Sequence, residues 1–359
     1  MKATLHKWAI GLVCALAASG TMGSAEAGEV RHGGNGHVEN PVWSHDGKYV
    51  AFELRKNSDG IDLYFAPIRG TIADQARLVA LPGSKNAFSG SQVAANPTWR
   101  HDGLIMFEGT NDGGMYRLYI SQPPSPTGFQ MLDLEKDPGN QVLPSLSGDG
   151  KLVVYVSGAA GKGGDLHIYN SASGAVERVT NTDEPEMFPA FSPDGKKLIY
   201  MKKVRMQQDL FSMDIATKSV SPFKGGKGDQ TRPIITADGT VVYFSSNDDD
   251  SWTLAATDLS GESTKTLAKG VRLPKSARPA LSPDGKWVAY SFDDPVKGDS
   301  IYISALDGSR TIEVKTEYKA CGEPAIGNQD GRIVLAYTAL PSAKAAFRML
   351  RIQDITQEF

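Results

Sequence analysis

Arg232 and Arg278 each stand immediately before a proline that opens a repeated motif. Two guanidinium groups on neighbouring repeats could grip a carboxylate or a phosphate through paired N–H donors. Glu323 holds the same place before Pro324, so the competing reading is a local ion pair that uses the charge inside the protein. A second cluster lies in Ser245 to Trp252, where Asp248, Asp249 and Asp250 crowd beside Trp252. That composition suits Ca²⁺ or an arginine-rich partner surface, against the plainer reading of a solvated acidic turn. It lacks the glycine and terminal glutamate of an EF-hand loop.

His45 and His101 occupy equivalent places in "SHDG" and "RHDG" and could form a pair of metal ligands, although no third ligand lies near them in sequence. The alternative is two tolerated turn residues. His32 and His37, in "RHGGNGH", could bind a metal but are read as flanking the closing strand, and His167 as a residue on a sheet face. Met201 to Asp209 is read as a solvated basic loop, and Cys321 as a small buried residue. No G-x-S-x-G elbow and no C-x-x-C-H haem attachment site is present, so no catalytic residue is assigned. An enzyme of the propeller lyase or hydrolase type, acting at an Arg232/Arg278 rim, stands as the rival class.

The elements that must position these residues follow from a repeat. Its core is Pro-x-apolar-Ser-x-Asp-Gly-Lys-x-apolar-x-aromatic, with copies beginning at Pro41, Pro97, Pro144, Pro189, Pro233, Pro279 and, in degenerate form, Pro324. The Asp-Gly pairs recur at intervals of roughly 44 to 56 residues. Asp hydrogen-bonds the backbone ahead of it, and Gly takes the left-handed conformation that closes a hairpin. The residues that follow, such as "KLVVYVS", are β-branched and aromatic, as a buried strand requires. The leading proline is read as the first residue of a strand. A third strand ("DLYFAPI", "DLFSMDI") and a weaker fourth ("VERVT", "TIEVK") complete each copy.

Four antiparallel strands per copy, with almost no helical periodicity, predict an all-β fold: a single seven-bladed β-propeller over residues 28–359. The last copy has three strands, and Glu29 to His32 resembles a fourth strand, so the N-terminal strand is expected to close the last blade. The residues before each leading proline, Asn40, Asn96, Leu143, Phe188, Arg232, Arg278 and Glu323, should form a ring around the channel mouth. The long connection Leu81 to Asn96 is a candidate partner contact.

Residues 1–27 read as a secretory signal peptide. Lys2 and Lys7 precede the apolar run Trp8 to Ala18, and Ala25-Glu26-Ala27 fits a cleavage site. The expected location is therefore the periplasm or an equivalent extracytoplasmic compartment. Without that segment the net charge is about −4, which gives no basic footprint for nucleic acid. Cys321 is then the remaining cysteine, so no internal disulfide is expected. No later stretch is apolar for long enough to span a membrane as a helix.

The Ser-Pro-Asp-Gly-Lys hairpin resembles the TolB-like, or PD40, propeller repeat over essentially all of residues 28–359. The chain departs from TolB in showing no N-terminal α/β domain before the first blade and in having seven repeats where TolB has six. The resemblance implies a non-catalytic protein-binding subunit or scaffold of an exported multi-subunit complex, its partners other protein chains. One version is a cell-envelope protein that engages outer-membrane or peptidoglycan-associated partners. By architecture and length the chain is also similar to the β subunit of hydrazine synthase, which would place haem in partner subunits and no cofactor on this chain.

Overall fold

The computed structural model describes residues 28–359 apart from 57–59, 80–92, 111–113, 124–128, 133, 135–136, 159–162, 224–227, 247–250, 274–277, 295–297 and 319. The leader and the three aspartates Asp248 to Asp250 therefore lie outside the described residues, as does most of the connection before Asn96.

Each repeat begins with a tight hairpin, and side chains within the motif hold it. In the fourth repeat the Ser192 hydroxyl donates to Asp194 at 2.7 Å. Asp194 accepts the Lys196 N–H at 3.1 Å, and Ser192 Oγ accepts the Lys197 N–H at 2.9 Å. These donors keep the Asp194 carboxyl below the usual carboxylate range. Gly195 follows at φ +67°, the left-handed conformation that glycine adopts without steric cost. Ser44, Ser147 and Ser282 repeat the arrangement with Asp46, Asp149 and Asp284, and Thr236 does so with Asp238.

The hairpin feeds a four-stranded antiparallel sheet. In the third repeat the strands are Asn140–Leu146, Leu152–Gly158, Asp165–Asn170 and Ala175–Arg178, paired in that order. The fourth repeat follows with Glu186–Phe191, Lys197–Val204, Gln207–Asp214 and Val220–Pro222. The fold is all-β and propeller-like. The strand Gly28–Val30 pairs antiparallel with Met349–Asp354 of the last repeat, Gly28 opposite Ile352 and Val30 opposite Leu350.

The sequence suggested that the leading proline starts its strand; outside the sixth repeat, where Ala280–Leu281 follows Pro279, it lies within the strand instead. Pro41 is the fifth residue of His37–Trp43, Pro97 the fifth of Val93–Trp99 and Pro144 the fifth of Asn140–Leu146. In each case the register of the pairing shifts across the proline. A bulge leaves one residue out of the ladder, so the missing proline N–H costs no hydrogen bond there.

The core lies between sheets. The motif's terminal aromatic is buried in every repeat: Phe52, Phe107, Tyr155, Tyr200, Tyr243, Tyr290 and Tyr337. Tyr200 and Phe191 of the fourth repeat pack with Val154 and Leu166 of the third. Ile199 and Leu210 pack on the other side with Val241 and Tyr243 of the fifth. The first and seventh repeats meet in the same way: Val38, Phe52 and Tyr64 pack with Ala325, Val334 and Ile352. No sheet could bury both faces alone, so successive sheets supply each other's core.

Candidate functional site

The residue before the proline is forced into a conformation that aims its N–H away from its own sheet. Asn40, Asn96, Leu143, Phe188, Arg232 and Glu323 have φ between +45° and +55°, the left-handed region that is uncommon for residues with a Cβ. The N–H released at the bulge needs a partner, and the neighbouring repeat supplies one. Glu323 Oε2 accepts the Asn40 N–H at 2.6 Å, Glu53 Oε1 that of Asn96 at 2.8 Å, and Glu108 Oε2 that of Leu143 at 2.6 Å. Ser291 Oγ accepts the Glu323 N–H at 3.0 Å.

These ring residues therefore sit at bulges within the innermost strands, buried or half-buried, and not on an outer rim. Asn40 is 5% exposed and Arg232 8%.

The electrostatics divide this inner surface in two. In the first and second repeats the carboxyl groups are enclosed. Glu53 Oε1 also accepts a hydrogen bond from the Asn40 amide at 2.7 Å, and Glu108 Oε1 accepts one from the Asn96 amide at 2.8 Å. Burial pushes both carboxyls up to about 7, against the lowering effect of those donors. Nothing in the strands "YVAFELR" and "IMFEGT" marks the glutamates as special in isolation. Their signal is that the same register holds Val156, Met201 and Phe244 in the next three repeats.

In the fifth and sixth repeats the charge is positive. Arg278 Nη1 donates to two backbone carbonyls, Pro189 at 2.9 Å and Pro233 at 3.2 Å, each belonging to a different repeat. The Arg232 guanidinium lies 5.4 Å from the centre of the Phe188 ring. Burial lowers both groups to about 10; Arg232 adds to the effect on Arg278, whereas Glu323 offsets it on Arg232. The structure thus brings Arg232, Arg278 and Glu323 into one neighbourhood.

Beside them is a cavity of about 210 Å³, lined in part by His37, Glu39, Arg272, Arg278, Glu323 and Arg348. Arg272 and Arg348 both pair with Asp299, at 2.6 and 2.9 Å.

Trp252 does not line that cavity, nor is it exposed. It is half-buried at the start of Trp252–Thr257 and packs against the core between the fifth and sixth repeats. Its aromatic face is already occupied by that core. His45 and His101 do meet across two repeats, rings stacked with centroids 4.1 Å apart, and His45 Nε2 lies 3.0 Å from the Trp99 carbonyl. Among the described residues no group of three or more His, Cys, Asp or Glu could hold a metal ion.

His32 packs on Phe52 and Tyr64 next to the N-terminal strand, and His37 opens the first strand of the first repeat, edge-on to Phe347. His167 lies half-buried in Asp165–Asn170, with Nδ1 3.7 Å from Asp137. The segment read as a basic loop is a hairpin: Lys197–Val204 turns directly into Gln207–Asp214, and Lys202 pairs with Glu184 at 3.1 Å. Cys321 is fully buried, its thiol donating to the Tyr318 carbonyl at 2.9 Å, and burial raises its pKa.

The family model for the TolB beta propeller domain, PD40, matches residues 83–275, more than half of the chain. The chain belongs to the TolB β-propeller family. A Tol-Pal system protein TolB from Francisella tularensis subsp. holarctica is 27% identical over 181 residues, which span 50% of this chain and 40% of that protein. Among solved structures, a protein assigned as TolB from Agrobacterium tumefaciens aligns over 75% of this chain and 90% of its own, with a TM-score of 0.55 and 20% identity. An oligogalacturonate lyase in complex with manganese aligns over 88% and 89%, with a TM-score of 0.62 at 11% identity. At such identities the structural likenesses establish the fold alone.

Proposed function

We propose that this chain is an exported, TolB-like cell-envelope propeller that works by binding other proteins. The observation that carries the reading is the match to the TolB propeller domain over more than half of the chain, in a fold whose regularity is spent on packing between sheets. Residues 1–27, read as a signal peptide, support passage to the periplasm or an equivalent compartment. The described residues contain no helix long and apolar enough to cross a membrane. The comparisons favour this envelope reading over the redox-complex version: the likeness to hydrazine synthase rested on architecture and length, and no family match supports it.

Within the same proposal the domain spanning residues 28–359 is a closed propeller of seven blades. Two observations support closure. The strand Gly28–Val30 adds to the last sheet, and the Trp43 indole N–H donates to the Ala325 carbonyl at 3.1 Å, joining the first repeat to the seventh. Gly327 lies under that indole, where an added Cβ would come within 2.5 Å of Trp43.

The test is to purify the native protein under mild conditions, identify stoichiometric partners and record a visible spectrum. Outer-membrane or peptidoglycan-associated proteins without a haem band are the expected result. A haem-bearing partner set would overturn the envelope role, and a lone monomer would overturn the protein-binding role itself.

A further inference from the structure

Among the described residues, the cavity beside the inner strands of the sixth and seventh repeats carries more positive charge than its neighbours neutralise. Arg272 and Arg348 share a single carboxylate, Asp299, at 2.6 and 2.9 Å. Among the described residues Arg278 has no carboxylate partner; its guanidinium is fastened by the carbonyls of Pro189 and Pro233. Carbonyls orient a guanidinium without cancelling its charge, and a cation held in a poorly solvated place without a counter-ion costs stability.

The carboxylates on the wall do not supply the missing charge to Arg278. Glu39 pairs with Arg55 at 2.7 Å, and Glu323 accepts the Asn40 N–H and acts on Arg232. The other wall residues, among them Tyr290, Phe244 and Leu273, carry no formal charge or are apolar.

We propose that this cavity is a binding site for a small anion bearing a carboxylate or phosphate group, held chiefly by Arg278 with Arg272 and Arg348 at its edge. Three features recommend the assignment. The guanidinium is pre-positioned, so little side-chain freedom is lost on binding. Its surroundings are shielded from water, which strengthens attraction to an anion. The volume, about 210 Å³, is below the roughly 300–1,000 Å³ of sites for drug-sized ligands, so the occupant is small. The assignment goes beyond the protein-binding role and does not depend on which partner the propeller engages.

The experiment is isothermal titration of the chain from residue 28 onward with citrate and, separately, with inorganic phosphate, at low ionic strength. Saturable one-to-one binding is expected, weaker as salt is raised, and reduced at least about tenfold in Arg278→Gln. Binding of citrate alone assigns a carboxylate ligand, and binding of phosphate alone a phosphate ligand. If neither anion binds at millimolar concentration, or if Arg278→Gln binds as the wild type does, the proposal is overturned. Circular dichroism checks that the variant is folded. Should it fail to fold, Arg348→Gln, which leaves the Arg272–Asp299 pair in place, is expected to weaken binding several-fold, and an unchanged affinity there would equally overturn the site.

Discussion

The first two repeats and the fifth and sixth place buried charge at the same depth of the inner strands but use it in opposite ways. Glu53 and Glu108 each accept the bulge N–H of the next repeat, that of Asn96 or Leu143, together with the side-chain amide of their own repeat, that of Asn40 or Asn96. Each carboxyl is a stitch between sheets: Glu108 uses both oxygens and Glu53 uses Oε1 twice. Arg278 donates to Pro189 and Pro233 and keeps its whole charge. A buried group whose hydrogen bonds are met and whose charge is offset serves cohesion. One that is anchored but not neutralised is suited to recognition.

The contrast can be broken most decisively by pH. Glu53 and Glu108 titrate near 7 when folded, above the 4.5 of a free glutamate. The folded state therefore holds these protons more tightly than the unfolded chain does. Their stabilising contribution is complete below about pH 4.5 and is lost as pH rises through 7, on the order of 3 kcal/mol per carboxyl. Urea unfolding of the wild type against the Glu53→Gln/Glu108→Gln double variant should show a pH slope in the first and a flatter one in the second. Equal slopes would mean that the carboxyls do not act as buried stitches.

Glu53→Ala, measured at pH 5, should lower stability by about 3 kcal/mol, because it strands the Asn96 N–H and the Asn40 amide in a dry interface. Ser192→Ala calibrates the scale outside both regions. It removes one turn contact to Asp194 and one acceptor for Lys197, and thermal melts should register about 1 kcal/mol. The smallest effect is expected on the positive side: Arg278→Gln without ligand should shift stability by less than about 1 kcal/mol, since losing a costly unpaired cation offsets the lost hydrogen bonds. A loss as large as that of Glu53→Ala would make Arg278 another stitch and remove the contrast.

How much of this was legible in the sequence depended on whether a residue works within its own repeat. The Ser-x-Asp-Gly-Lys turn is local, with each donor and acceptor within five residues, so its geometry could be read directly. The strands that follow it could be read from their β-branched pattern, and the partnership of the N-terminal strand with the last repeat from the likeness of Glu29 to His32 to a fourth strand that the last copy lacks. The bulge could not, because the motif's proline resembles a strand start until the pairing partner is known. Arg232, Arg278 and Glu323 were recognisable as a set only because they share a register. That Arg278 reaches carbonyls of two other repeats is a long-range fact with no local trace. Trp252 misled for a related reason: the acidic run before it suggested solvent, whereas strand alternation turns its ring into the sheet interface.

The pairing of Gly28–Val30 with Met349–Asp354 also sets a timetable. The first of the described strands is the one that must wait, since its partner lies at the other end of the described residues. Until then the outer edge of the final sheet stays open, and contacts between such distant positions form slowly. A nascent chain in this state offers an unpaired strand edge to its neighbours, which makes the interval before the ends join the period of greatest exposure to aggregation.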